Sequence, residues 1–143
     1  MEAVATARVI FGDTDAMGIA YYANYLRWFE IGRVELLRRR GMVYRELSGR
    51  GIHLPVTRAE IRYIAPARYD DGLVIRAGIR SVGRASVSFA YRIERDDGTP
   101  LAEGATTHAF TDGRGRIVRV PEGFPGGGDW EHISGGEGGS RGT

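Results

Sequence analysis

The chain has 143 residues, 42% of them hydrophobic and 27% charged, with a formal net charge of +2, which predicts one globular domain with a core that needs no staples. It holds no cysteine and no lysine, all twenty basic residues being arginine, so thiolate nucleophiles, disulfides, Cys-ligated metals, Schiff-base lysines and the P-loop lysine are excluded. The arginines are scattered apart from Arg38-Arg39-Arg40, no apolar run reaches membrane-spanning length, and Met1 to Arg8 lacks a signal-peptide pattern, so the expectation is a cytoplasmic protein with neither nucleic acid nor membrane as partner.

Ala3 to Phe11 is rich in Val, Ile and Thr and reads as a first strand. Gly12 to Ala20 reads as a loop carrying two aspartates, a threonine and Gly18. Asn24 to Arg40 is the one long helical pattern, with Leu26, Phe29, Arg33 and Leu36-Leu37 recurring at three- and four-residue steps. Three arginines and then Gly41 end it well, since cations suit a helix C-terminus and glycine its stop. Met42 to Leu47 reads as a further helical turn.

From Ile52 the pattern changes to strands. Leu54 to Tyr63 is one, ended by Pro66; Leu73 to Val82 and Ala85 to Arg95 alternate, with Gly83-Arg84 turning between them. Leu73, Ile75, Ala77 and Ile79 share one face, and Val87, Phe89, Tyr91 and Ile93 face inward. Asp96-Asp97-Gly98 marks a hairpin before Leu101 to Phe110. Ile117 to Val120 reads as a last short strand. The domain is expected to span residues 1–121. The segment 122–143 carries nine of the 22 glycines and reads as a disordered tail. Its Gly138-Gly139-Ser140-Arg141-Gly142 matches the nucleophile-elbow letters but lacks the strand and helix that motif needs.

The fold class is therefore α+β, an antiparallel sheet with one long helix on one face. The uncovered face or an edge should stay partly apolar unless a second subunit covers it, which predicts an oligomer.

After this elimination, carboxylates, hydroxyls, arginine and backbone N–H groups must carry any chemistry. They concentrate in Phe11-Gly12-Asp13-Thr14-Asp15, just ahead of Tyr21-Tyr22-Ala23-Asn24-Tyr25. Free N–H groups at a helix N-terminus carry partial positive charge and can hold an oxyanion. A neighbouring carboxylate can attack a carbonyl or activate water. The same residue types also cap helices and form turns, so spacing alone leaves both readings open. His108 reads as a satisfied structural histidine within a strand.

The stretch from Phe11-Gly12-Asp13-Thr14-Asp15 through Tyr22-Ala23-Asn24-Tyr25-Leu26-Arg27-Trp28-Phe29-Glu30 resembles the 4-hydroxybenzoyl-CoA thioesterase family of hotdog proteins, including its Tol-Pal-associated branch. Tyr63-Ile64-Ala65-Pro66-Ala67-Arg68-Tyr69-Asp70-Asp71 continues the likeness, and Gly83-Arg84-Ala85-Ser86 resumes it loosely. The resemblance implies a hotdog fold, a sheet wrapped round a central helix, in dimers or tetramers with the active site between subunits. It implies an acyl-CoA substrate, hydrolysed without a cofactor, with Asp15 as the catalytic carboxylate and the backbone N–H of Tyr22 polarising the carbonyl. Arg80 and Arg84 would contact CoA phosphates, Ser86 the pantetheine, and Tyr21, Tyr25, His53, Leu54 and Pro55 the acyl group. Glu60 is a backup carboxylate. The alternatives are an acyl-carrier-protein thioesterase and a non-catalytic binding protein.

Overall fold

A computed structural model of the chain describes residues 1–126. Strand β1 (Glu2–Arg8) leads through a 3-10 turn (Phe11–Asp13) and a loop into helix α1 (Asn24–Arg39) and the short helix α2 (Tyr44–Gly49). Strands β2 (Val56–Tyr63), β3 (Gly72–Val82), β4 (Ser86–Arg95) and β5 (Pro100–Ala109) follow. They form one antiparallel sheet of five strands in the order β1-β3-β4-β5-β2. This is the expected hotdog arrangement, one long helix lying in the concave face of the sheet.

The apolar periodicity places α1. Trp28, Phe29, Leu36 and Leu37 are buried against Leu73, Ile75, Ala77 and Ile79 of β3 and Val87, Phe89, Tyr91 and Ile93 of β4. Gly32 lets the helix backbone sit directly on the sheet: a Cβ there would lie 2.9 Å from Ile75 Cγ2. The Phe29 ring stacks on Tyr91 at 4.3 Å and covers Gly104 of β5. The helix stops at Gly41, whose φ of +84° only glycine adopts cheaply.

Three expectations are corrected. β1 ends at Arg8 because Phe11–Asp13 wind into a 3-10 turn, closed by Asp13 Oδ2 accepting the Ile10 N–H at 3.0 Å. β2 begins at Val56, after Pro55, which has no N–H to give a ladder. Ile117 to Val120 is no strand; a single bridge joins Ile117 to Thr111. The face away from α1 is not apolar: it carries Arg76, Arg92, Glu94 and Glu103 among small residues, with Arg76 and Arg92 both paired to Glu94 at 3.2 Å.

Of the two places where apolar exposure was expected, a face or an edge, it lies on the β2 edge, where Val56 and Tyr63 are 48% and 47% exposed. Past residue 121, Phe124 packs edge-on against Phe110 at 5.1 Å. The remainder of the expected tail, with the Gly138 to Gly142 motif, lies outside the described residues.

Candidate active site

The loop between β1 and α1 is held from several sides. Thr14 and Ala20 bridge each other, Ile19 bridges Arg68, and the Ala20 N–H donates to Ala67 O at 2.8 Å. The Pro66 to Asp71 segment is itself fixed, with Arg95 donating to Pro66 O and to Asp71 Oδ2, both at 3.2 Å. The second sequence motif thus braces the first.

Asp15 sits at the tip of this braced loop, half-buried. Its N–H donates to Ile19 O at 2.9 Å, and its Oδ1 accepts the Met17 N–H at 2.8 Å. One carboxylate oxygen is occupied in this turn; no hydrogen bond within the described residues uses the other. Neither aspartate of the motif caps α1. Asp13 closes the 3-10 turn, Asp15 closes its own turn, and the helix has no side-chain cap.

The start of α1 is correspondingly open. Asn24, Tyr25 and Leu26 donate back to the carbonyls of Tyr21, Tyr22 and Ala23, so the first turn is tightened. Among the described residues, the N–H groups of Tyr22 and Ala23 find no acceptor. The peptides that carry them are polarised from behind: Tyr21 O accepts the Asn24 N–H at 2.9 Å, and Tyr22 O accepts the Tyr63 hydroxyl at 3.1 Å. Chained hydrogen bonds strengthen one another, which makes these two donors better ones.

Four tyrosines surround this end. Tyr21 and Tyr22 are exposed, their rings 4.7 Å apart. A hydrogen bond and electrostatic coupling with Tyr22 raise the Tyr21 pKa. Burial raises Tyr63, with Tyr22 adding to it. Tyr25 is a core residue rather than a surface of the site: it is 3% exposed, packs on Trp28 and Tyr63, and accepts the Ala67 N–H at 3.3 Å. Burial raises its pKa against that N–H. All three phenols are thus kept in their protonated, donor-bearing form.

The other expected site residues lie elsewhere in this chain. The Asp15 loop follows Arg8, which pairs with Gly72 at the start of β3. Arg84 is in the turn past Val82 at the far end of that strand, and eleven strand residues separate those ends by about 33 Å. Ser86 pairs with Ala109, His53 bridges Thr111, and Leu54 and Pro55 precede Val56, which pairs with His108. All four therefore belong to the Arg84 end, and Arg80 falls in the irregularity between Ile79 and Ser81 just before it. Glu60 stands mid-strand on the exposed edge beside Arg58, away from both ends.

Next to Leu54 a cleft of about 120 Å³ opens between α1, α2 and the start of β2. Val34, Leu37, Tyr44 and Leu54 give it apolar walls, with Glu30 and Arg33 as polar lining. Glu30, Arg33, Val34 and Leu37 reach it from one face of α1, at three- and four-residue spacing. Beneath the cleft a buried hydrogen-bond chain runs inward. His108 Nδ1 lies 2.9 Å from Leu54 O, an atom that can only accept, so the proton is on Nδ1. Nε2 then accepts from Thr106 Oγ1 at 2.8 Å, Thr106 accepts from the Tyr91 hydroxyl at 2.6 Å, and Arg33 points at Tyr91 from 3.5 Å. His108 is a satisfied structural histidine, and burial, aided by the charge of Arg33, lowers its pKa to about 4. Among the described residues, no three of His, Cys, Asp and Glu converge to hold a metal, and no helix is long and apolar enough to cross a membrane.

Residues 9–125 match the family described as the thioesterase-like superfamily. The acyl-CoA thioester hydrolase YbgC of Escherichia coli O6:H1 is 36% identical over 96 residues, which cover 67% of this chain and 72% of that protein. The solved gentisyl-coenzyme A thioesterase BH1999 is 28% identical, with a TM-score of 0.78 over 83% of this chain and 96% of its own. A mutant 4-hydroxybenzoyl-CoA thioesterase, crystallised with 4-hydroxybenzoyl-CoA, is 25% identical, with a TM-score of 0.76 over 84% of this chain and 93% of its own.

Proposed function

The chain belongs to the thioesterase-like superfamily and is a thioester hydrolase, and from that premise we propose that it cleaves acyl-CoA to a free acid and CoA with Asp15 as its reacting carboxylate. The supporting observation is an uncapped helix start, with the Tyr22 and Ala23 N–H groups unengaged, on the same braced loop seven residues after an aspartate that keeps one oxygen unused. The thioester carbonyl oxygen accepts from the Tyr22 N–H, whose partial positive charge stabilises the oxyanion as it forms. Asp15 either attacks the carbonyl carbon or takes the proton of an attacking water. The carbon–sulfur bond then breaks, the CoA thiolate leaves and takes up a proton, and, where Asp15 itself attacked, water hydrolyses the acyl–Asp15 anhydride to release the acid and restore the carboxylate.

The site is shared between two copies of the chain. β2 is an edge strand with an unpaired backbone ladder and exposed Val56 and Tyr63. Pairing β2 with its own copy about a two-fold axis is antiparallel, and sets the Leu54 end of one copy beside the Tyr63 and Tyr22 end of the other. His53, Leu54, Pro55, Arg80, Arg84 and Ser86 of one copy then serve Asp15, Tyr21 and Tyr22 of the other. Arg80 and Arg84 suit CoA phosphates through bidentate hydrogen bonds.

Steady-state hydrolysis of an acyl-CoA panel tests this reading. Wild type turns over at least one ester, and Asp15→Asn loses at least about a hundredfold in kcat, the scale of an acid–base or nucleophilic group. Near-normal turnover by that variant removes Asp15 from the reaction.

A further inference from the structure

Asp13 is the half of the paired-aspartate motif that the proposed reaction leaves unused, and it is the most heavily bonded residue of the loop. Although charged, it is 6% exposed. Its Oδ1 accepts from Arg27 Nη2 at 2.7 Å and its Oδ2 from the Ile10 N–H at 3.0 Å. Its carbonyl oxygen accepts from the Tyr21 N–H and from Asn24 Nδ2, both at 2.8 Å. One residue thus ties the exit of β1, the returning limb of the loop, and the first two turns of α1. Asp15 follows it by two residues, and the open N–H of Tyr22 directly follows the Tyr21 it holds.

We infer that Asp13 and Arg27 form a positioning pair: they set the Asp15 carboxylate and the Tyr22 and Ala23 N–H groups on opposite sides of one acyl carbon. The inference rests on the reading of Asp15 as the reacting carboxylate. Asp15 rides on the loop and the donors ride on the helix, so their separation depends on what clamps loop to helix. Arg27, one turn into α1, supplies that clamp with a charge-assisted bond. A shift of the loop by about 1 Å spoils the approach geometry and lowers the rate of the chemical step up to about a hundredfold.

The two partners differ in a way that separates positioning from plain stability. Asp13 is buried, whereas the Arg27 side chain is 50% exposed. Arg27→Leu strands a buried carboxylate and lowers Tm; Asp13→Asn leaves a solvated guanidinium, keeps an acceptor for the Ile10 N–H, and changes Tm little. Both variants should nonetheless lose kcat by about tenfold to a hundredfold with KM within about threefold of wild type. Arg27→Lys should restore most of kcat, and the double variant should be no worse than the worse single. Hydrogen–deuterium exchange should quicken over residues 10–22 in Asp13→Asn and stay unchanged over residues 30–37.

Losses that track Tm, a kcat within about twofold of wild type in Asp13→Asn, or unaltered exchange over residues 10–22 would each overturn the pair. Asp15→Asn is assayed alongside. If it retains turnover, the reading of Asp15 is what fails, and exchange alone then decides whether Asp13 fixes the loop.

Discussion

His108 shows how one side chain links the interior to pH. It is fully buried, and its ring is committed at both nitrogens. Burial lowers its folded pKa to about 4 from the ordinary 6.5. Between those values the unfolded chain binds a proton that the folded chain refuses, so stability falls as pH drops from 7 towards 4. Over that window the loss attributable to His108 is about 3 kcal/mol. Urea titrations at pH 7 and pH 4.5 check it: His108→Gln removes the titrating ring, so its loss on acidification should be smaller than that of wild type by most of this amount. Equal losses would mean that carboxylates alone carry the acid sensitivity.

Gly104 is where three elements come closest together. A Cβ there would run into the Glu60 carbonyl of β2 and lie 2.9 Å from the Phe29 ring of α1. Gly104→Ala should therefore destabilise by about 2 kcal/mol or more, because a backbone carbonyl cannot step aside as a side chain does. Gly49→Ala, with nothing within 4 Å of the added carbon, should stay within about 0.5 kcal/mol of wild type or gain slightly from helix propensity. Thermal melts of the two variants make the comparison. The elements themselves were largely legible. Apolar steps of three and four residues, then Gly41, bound α1 to within one residue of its observed end, alternation gave β3 and β4, and the Asp96-Asp97-Gly98 hairpin signal placed β5 after them. What failed were places where a contact distant in sequence, or a side chain turning back on the backbone, decides the outcome. The 3-10 turn at Phe11–Asp13 depends on the Asp13 carboxylate, and Ile117 meets Thr111 through one bridge only. The close approach at Gly104 is likewise invisible, since it exists only once β2 and α1 have both docked on β5.

The candidate site divides along the same line. Asp13, Asp15 and Tyr22 are neighbours in the chain; local spacing marked their stretch but left capping and catalysis both open, and the roles of Asp15 and Tyr22 came from the family resemblance. That Arg84 and Ser86 stand at the opposite end of the sheet follows only from the strand order β1-β3-β4-β5-β2 and its registers, which no local pattern encodes. The separation of about 33 Å along β3 has a genetic consequence. If each reaction centre draws its carboxylate from one polypeptide and its phosphate grip from another, two crippled proteins should heal each other. Asp15→Asn and Arg84→Ala subunits, unfolded together and refolded as a mixture, would place both lesions in one centre of every hybrid and leave the second centre whole. Random assortment then returns about a quarter of the normal centres. Were the two residues to serve the same centre within one polypeptide, every centre in the mixture would carry a lesion and no recovery would appear.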